Sequence, residues 1–144
     1  NLSSNTVSEL EFMRLALEPE LTRRFAVQAT ANDIRTLRSI DDHLNAAIQM
    51  GDVPAYLRQN HAFHAAIYSG ANAPIMAEAA DRLWLRFGPS LRVVCGRFGT
   101  QNLPDKHHEL LQALDTGNVA LAADAMIGDI HQGMVQIIAA LPET

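Results

Sequence analysis

The sequence predicts an all-α protein, an antiparallel bundle of about six to seven helices. Ala, Leu and Ile dominate its apolar residues, whereas aromatic residues make up only 6% of the chain, a composition that favours helices over strands. Apolar residues recur at three- and four-residue spacing along most of the 144 residues, which is the helical period. The one strand-like run, Leu91–Cys95, has no second strand with which to pair.

The first helix is predicted from about Val7 to Ala29. Thr6 is a suitable N-cap, and Glu9 stands three residues later, which together form the pattern of a capping box. Pro19 lies inside this segment and lacks the backbone N–H that a helix interior needs. We therefore expect a kink there, or two shorter helices.

The second and third helices have clear start and stop signals. The second is predicted over Ala31–Met50 and ends at Gly51, because glycine readily adopts the left-handed conformation that terminates a helix. The third is predicted over Val53–Tyr68, with Asp52 as its N-cap and Pro54 in its first turn, where the missing N–H of proline does no harm.

The run Ser69–Asn72 breaks the chain before a fourth helix. That helix is predicted to start near Pro74 and to reach residues 91–94, with a bend at Gly88-Pro89 because glycine and proline both disfavour a helix interior. The longest irregular stretch is predicted over Gly96–Leu103.

The fifth helix is predicted to begin at Pro104 and to end before Gly117. The sixth follows Asn118, and short loops between long helices favour antiparallel neighbours. Its apolar residues fall on one side: Val119, Ala122, Met126, Ile130, Met134, Ile137 and Leu141.

Composition excludes several classes of function. The net charge of −5 gives no basic excess with which this chain alone could hold a phosphate backbone. The single cysteine, Cys95, allows neither an internal disulfide nor a CxxC zinc site and is typical of a reducing compartment, so we expect a cytoplasmic protein. No apolar run approaches the ~20 residues that cross a bilayer, and we expect no membrane partner.

Polar residues interrupt the apolar faces of the predicted helices. Asn60 and His64 are four residues apart on the third helix, so both lie on the same face, one turn from each other. His107 and His108 open the fifth helix, and only one of them can face inward with the leucines that follow. Helical bundles commonly build metal sites from such side chains, although a hydrogen-bonded histidine in a core is an alternative.

Several short motifs follow one another in a specific order along nearly the whole chain. They are Arg14–Pro19, Ala29-Thr30 with Asp33-Ile34, Gly51-Asp52 with Tyr56, Asn60–His64, Ser69–Asn72, His107–Leu114, and Gly117-Asn118 with Ala122 and Met126. Together they resemble the C-terminal effector-binding (FCD) domain of FadR-type transcription regulators in the GntR family.

The resemblance implies a metal site, because three histidines and an aspartate hold a divalent metal beside an organic-acid pocket in that family. By position, Asn60 replaces the family's aspartate, His64 and His107 match two of its histidines, and Asp129 replaces the third. Formal ligand charge is unchanged, and two histidines with one carboxylate suit a divalent transition metal, zinc or nickel here. Periodicity alone does not decide whether Asp129 or His131 faces the site, and the resemblance favours Asp129. A metal-free polar network formed by the same residues is the alternative to a metal site.

An organic-acid effector needs cationic or hydrogen-bonding partners. Arg14 matches the family's first-helix arginine, and a guanidinium can bind a carboxylate through two parallel hydrogen bonds. Arg86 and Tyr68 are further effector-binding candidates. The alternatives are a salt bridge from Arg14 to Glu18, four residues along, a surface position for Arg86 and a core position for Tyr68.

The resemblance also implies a domain organisation and a function. Residues 1–6 are interpreted as a linker remnant and residues 7–144 as the effector-binding and dimerisation domain, with a winged helix-turn-helix outside this chain. We expect a homodimeric transcription regulator, not an enzyme, that senses a small organic acid and binds DNA only through the missing domain. The alternatives are a metal-free dimerisation module and a metalloenzyme with two histidines and one carboxylate. The sequence leaves the effector, the metal and the operator undetermined.

Overall fold

A computed structural model describes residues 2–98 and 105–141, with side chains as far as residue 88 in the first of these ranges. Its described residues contain six helices and no strand, which confirms the all-α prediction. No helix among them combines the length and the apolar character needed to span a bilayer. The helices are α1 (Ser4–Gln28), α2 (Ala31–Met50), α3 (Val53–Gly70), α4 (Pro74–Phe98), α5 (Lys106–Asp115) and α6 (Val119–Ala140).

Local capping explains most of the helix boundaries. α2 has the bounds predicted from the sequence: Thr30 and Asp33 form a reciprocal capping box at its start, and Gly51 ends it with a φ of 66°. The predicted cap of α3 is also confirmed, since the Asp52 side chain accepts a hydrogen bond from the backbone of the first turn. Asn118 caps α6 in the same way. Each such cap satisfies a backbone N–H that the helix cannot satisfy itself.

The start of α1 differs from the prediction. Ser3, rather than Thr6, is the N-cap, and its side chain accepts a hydrogen bond from the Thr6 backbone. Pro19 does not divide α1, which continues as one helix to Gln28. A proline removes a single N–H donor from the helix, and the buried face of α1 packs extensively against α6, so tertiary packing outweighs that local loss.

The fourth helix is longer than predicted. α4 continues through Gly88-Pro89 and includes Leu91–Cys95, so the strand-like run is helical. The predicted irregular stretch Gly96–Leu103 is wrong at its start, because residues 96–98 are still helical; residues 99–104, with the predicted start of α5 at Pro104, lie outside the described residues. Asp105 is the observed N-cap of α5.

The motif Ser69–Asn72, at the end of α3, packs against the end of α1. A Cβ atom at Gly70 would lie 2.6 Å from the Phe25 ring, so only glycine allows the two helices to approach this closely. Gln28 donates a 2.8 Å hydrogen bond to the Gly70 carbonyl and accepts one from Asn72. Asn72 has a φ of 53°, a left-handed conformation that asparagine tolerates better than most residues.

The core lies between α1, α3, α4 and α6, with α2 packed against α3 and α5. Two polar residues, Glu18 and His64, are buried as completely as the largest core side chains. Buried charged groups are costly unless they are paired. The partners of these two residues define the candidate site. The largest fully buried apolar side chains of the core are Leu21, Leu37, Phe63, Ile67, Phe87, Leu110, Met126, Ile130, Met134 and Ile137.

Candidate metal centre

Three side chains from three helices meet inside the bundle. His64 comes from α3, His107 from α5 and Asp129 from α6, and one potential ligand atom of each lies within 4.8 Å of the others. The Oδ2 atom of Asp129 is 2.8 Å from Nε2 of His64 and 3.5 Å from Nε2 of His107. The structure thus brings together three of the four residues that the sequence nominated for the metal.

The local sequence explains why His107, and not its neighbour, faces inward. His107 shares a face of α5 with Leu110, Leu111 and Leu114 and is buried, whereas His108 is exposed. Its ring lies parallel to the Phe63 ring, with the centroids 4.0 Å apart. This stacking holds the plane of the imidazole.

In each histidine, Nδ1, the ring nitrogen that points away from Asp129, faces a further buried carboxylate. Nδ1 of His64 is 3.3 Å from Oε1 of Glu18, and Nδ1 of His107 is 3.3 Å from Oδ1 of Asp41. Histidine ligands of metals usually donate their other N–H to a carboxylate or carbonyl, which fixes the ring orientation and the tautomer. Both candidate ligands have this arrangement, and in both cases Nε2 is the nitrogen turned toward Asp129.

Glu18 anchors one side of this cluster. Arg14 donates two hydrogen bonds to its carboxylate, at 2.5 and 3.1 Å, and the Tyr68 hydroxyl donates a third. Trp84 in turn donates a 3.0 Å hydrogen bond to the Tyr68 oxygen. The guanidinium of Arg14 also lies over the rings of Trp84 and Phe87, 5.3 and 4.1 Å from their centroids. Arg14 therefore forms the salt bridge to Glu18 that the sequence offered as the alternative to effector binding.

These contacts control the ionisation of Glu18. Burial raises the pKa of its carboxyl, but the charge of Arg14 and hydrogen bonds from His64 and Arg14 outweigh burial and lower the pKa to about 2. Burial and the negative charge of Glu18 raise the pKa of Tyr68 well above its usual value. Glu18 is thus a carboxylate, and Tyr68 a neutral donor, at neutral pH.

Asp129 and His107 likewise shift each other's pKa. Burial lowers the pKa of His107, but the charge and hydrogen bond of Asp129, followed by the negative charge of Asp41, outweigh burial and raise the pKa to about 10. Burial raises the pKa of Asp129, yet the charge and hydrogen bond of His107 and a hydrogen bond from His64 hold it well below the usual range. A metal ion that binds His107 at neutral pH must therefore displace a proton from it.

The other residues nominated from the sequence lie elsewhere. Asn60 is half-buried one turn before His64, and its amide makes no hydrogen bond to the described residues. Arg86 is exposed on α4, whereas Trp84 and Phe87 of the same helix are buried. His131 is also largely exposed and lies 2.5 Å from Glu11. Of the two positions left open by periodicity on α6, Asp129 is the one that faces the histidines.

Sequence reasoning misses two members of the cluster as functional residues. It identifies Glu18 only as a salt-bridge partner. Asp41 carries a signal that could have revealed it: it stands four residues after Leu37 and three before Leu44, within the apolar stripe of α2, and is 5% exposed. A carboxylate at a core position needs a buried partner. Which residue that partner is depends on how α2 and α5 pack.

A surface groove of about 770 Å³ lies between α5 and α6 and is separate from the cluster. Its lining includes Lys106, Glu109 and Leu121, but none of the three candidate ligands. The cluster itself is nearly closed: the two histidine side chains are at most 9% exposed, whereas the Asp129 side chain is 22% exposed. Access from solvent is therefore greatest beside Asp129.

Comparison with known proteins matches this chain to a regulatory family. The model of the FCD domain matches residues 9–132. The chain belongs to the FCD domain family. FCD domains are found in GntR-family transcription regulators, which are not enzymes.

Two known proteins are similar to this FCD domain. The HTH-type transcriptional regulator McbR of Escherichia coli is 32% identical over 109 residues, which are 74% of this chain and 46% of that protein. The chain thus spans less than half the length of this curated relative. The solved structure of E. coli McbR/YncC has a TM-score of 0.91 and 23% identity, and the match covers 98% of this chain and 72% of that one. A Streptococcus agalactiae GntR structure has a TM-score of 0.72 and 22% identity, with coverage of 90% and 58%. At these identities the two structures support the fold alone.

Proposed function

We propose that this FCD domain is the ligand-sensing part of a cytoplasmic FadR-type regulator. In this proposal His64, His107 and Asp129 bind one divalent metal, and a small organic acid binds at the position that the protein leaves open. The supporting observation is the convergence of two histidine Nε2 atoms on one carboxylate oxygen inside the bundle.

The donor set fits zinc or nickel. Zinc ligands lie about 2.0–2.2 Å from the metal, so donors at neighbouring corners of a tetrahedron are roughly 3.3 Å apart. The contacts of 2.8 and 3.5 Å to Asp129 bracket that spacing. Three protein ligands leave a position for water or for a ligand, and Asn60, one turn from His64, is proposed as a weak outer donor.

Charge balance also favours a divalent ion. The cluster contains three carboxylates, from Glu18, Asp41 and Asp129, but only one permanently charged cation, Arg14. Buried charges require compensation. In the metal-free cluster the proton of His107 supplies one of the two missing positive charges. A divalent cation in place of that proton would supply both.

The proposed acid approaches from the side of Asp129, where exposure is greatest. It would bind the metal through its own carboxylate. Arg14 binds Glu18 through its Nε and Nη2 atoms, so it would contact the acid through the remaining N–H groups of its guanidinium, which has five. Tyr68 is a second donor next to Glu18, whereas the exposed Arg86 is left out of the proposed site.

Binding at this point would affect the relative packing of several helices. The proposed ligands come from α3, α5 and α6, and Glu18 connects them to α1. An effector shifts a conformational equilibrium only if its affinity differs between the two states. We propose that a homodimer passes this shift to DNA-binding domains outside the present chain.

A thermal-shift screen tests the sensor function. Short hydroxy and keto acids, sugar acids, dicarboxylates and fatty-acid derivatives would each be added to chelator-treated protein with and without zinc or nickel. We expect at least one acid class to raise the Tm only when metal is present, by about 8 °C at a hundred times its Kd. The exposed-site variant His108→Ala should respond like the wild type. If no acid stabilises the metal-loaded protein, the sensor proposal fails and a dimerisation module is favoured.

A further inference from the structure

Asp41 is a buried carboxylate on a helix that supplies none of the proposed ligands. α2 is otherwise apolar on its buried face, which consists of Leu37, Leu44 and Ala47 besides Asp41. One oxygen of Asp41, Oδ2, has a long 3.5 Å contact with the Asn45 amide. The other oxygen, Oδ1, has no well-aligned hydrogen bond to the described residues. A buried acceptor in this state is uncommon and calls for an explanation.

The polar atom that faces Oδ1 is Nδ1 of His107, at 3.3 Å. This is an ion-pair distance, although the alignment falls short of a hydrogen bond. Across the imidazole ring, Nε2 faces Oδ2 of Asp129 at 3.5 Å. His107 is therefore held between two carboxylates from different helices.

Stacking alone cannot decide which edge of His107 faces the proposed metal. Phe63 lies parallel to the ring with an interplanar angle of 4°, so it fixes the plane. A half-turn about the Cβ–Cγ bond keeps that plane but exchanges each nitrogen with a carbon. Only a group that distinguishes N–H from C–H can select one orientation, and Asp41 stands where it can do so.

We propose that Asp41 is a positioning residue for the metal centre: it accepts the Nδ1 proton of His107 and thereby keeps Nε2 as the ligand atom. This inference rests on the proposed metal-binding function. It differs from the role of Glu18 at His64, because Glu18 has Arg14 and Tyr68 as additional partners. Besides His107, the structure gives Asp41 only the long contact with Asn45 among the described residues, so orientation of His107 is the function that its burial supports.

The test compares Asp41→Asn with Asp42→Asn, the same substitution at the adjacent, exposed residue. In the first variant the new amide is neutral and can rotate to donate to Nδ1 of His107, which would favour the tautomer whose proton blocks Nε2. Loss of a carboxylate behind a histidine ligand typically weakens metal binding about 10- to 100-fold. We expect calorimetry to show that loss of zinc affinity for Asp41→Asn and no change for Asp42→Asn.

A spectroscopic measurement on the wild type keeps the inference testable if Asp41→Asn folds poorly. In the zinc-loaded protein, long-range ¹H–¹⁵N correlation of the His107 ring should show a protonated Nδ1 and a metal-bound Nε2. Metal bound through Nδ1, or equal zinc affinity in the wild type and a folded Asp41→Asn, would overturn the role of Asp41 alone. A wild-type protein that binds no zinc would overturn the metal centre and this role together.

Discussion

Alanine at either buried histidine should remove most of the affinity for a divalent ion. A four-ligand zinc site contributes roughly 10–16 kcal/mol, or about 3–4 kcal/mol per ligand, so we expect zinc binding to weaken about 100- to 1,000-fold in His64→Ala and in His107→Ala. Both side chains are buried and direct Nε2 at Asp129. Calorimetric titration of chelator-treated variants measures the change.

The chain offers two matched controls for this result. His108→Ala removes the exposed neighbour of His107, and His131→Ala removes the exposed histidine two residues from Asp129. Both variants should bind zinc like the wild type. His64→Ala should also weaken the response to an acid effector more than it weakens folding, and unchanged affinity for that acid would contradict the effector role.

Removing the Glu18 carboxylate should have the largest effect on stability. Glu18 is fully buried and accepts hydrogen bonds from Arg14 and Tyr68, so Glu18→Ala leaves a buried guanidinium uncompensated. Breaking a buried ion pair in this way costs about 3–5 kcal/mol of unfolding free energy, which corresponds to a Tm lowered by roughly 10–15 °C. Urea denaturation of the metal-free protein provides the measurement.

Glu20→Ala is the control, since Glu20 forms only half-exposed salt bridges with Arg23 and Arg24. Such pairs contribute about 0–1 kcal/mol. The pKa of Glu18 gives a second readout: because it lies at about 2 in the folded protein, below its ordinary value, the stabilisation is present above the ordinary pKa and is lost as the pH falls toward 2. If the unfolding free energy of Glu18→Ala lies within about 1 kcal/mol of the wild-type value, the range of an exposed pair, the buried carboxylate does not stabilise the fold as predicted.

Local signals are sufficient to predict part of the fold. The bounds of α2 follow from Gly51 and its neighbours, because capping acts over a few residues. The start of α1 is harder to predict because Ser3 and Thr6 are both suitable caps. A kink and a division at Pro19 both remain open from the sequence, because packing against α6 decides whether the helix continues.

The candidate site, like the fold, could be predicted only in part from local sequence patterns. Helical spacing places His64 among buried neighbours, but it cannot choose between Asp129 and His131, which flank the same apolar stripe. The resemblance makes that choice, and the geometry agrees with it. The partnership of Asp41 with His107 joins α2 to α5 across 66 residues. No pattern of spacing within one helix could have revealed it.

Zinc titration of chelator-treated wild-type protein is the measurement that tests the central claim most directly. The proposed centre predicts one ion bound per chain, with proton release on binding, because the pKa of His107 is raised to about 10 in the metal-free cluster. It also predicts that binding is lost when His64 and His107 are both replaced by alanine. No zinc uptake by the wild type, or equal uptake by the double variant, would contradict it.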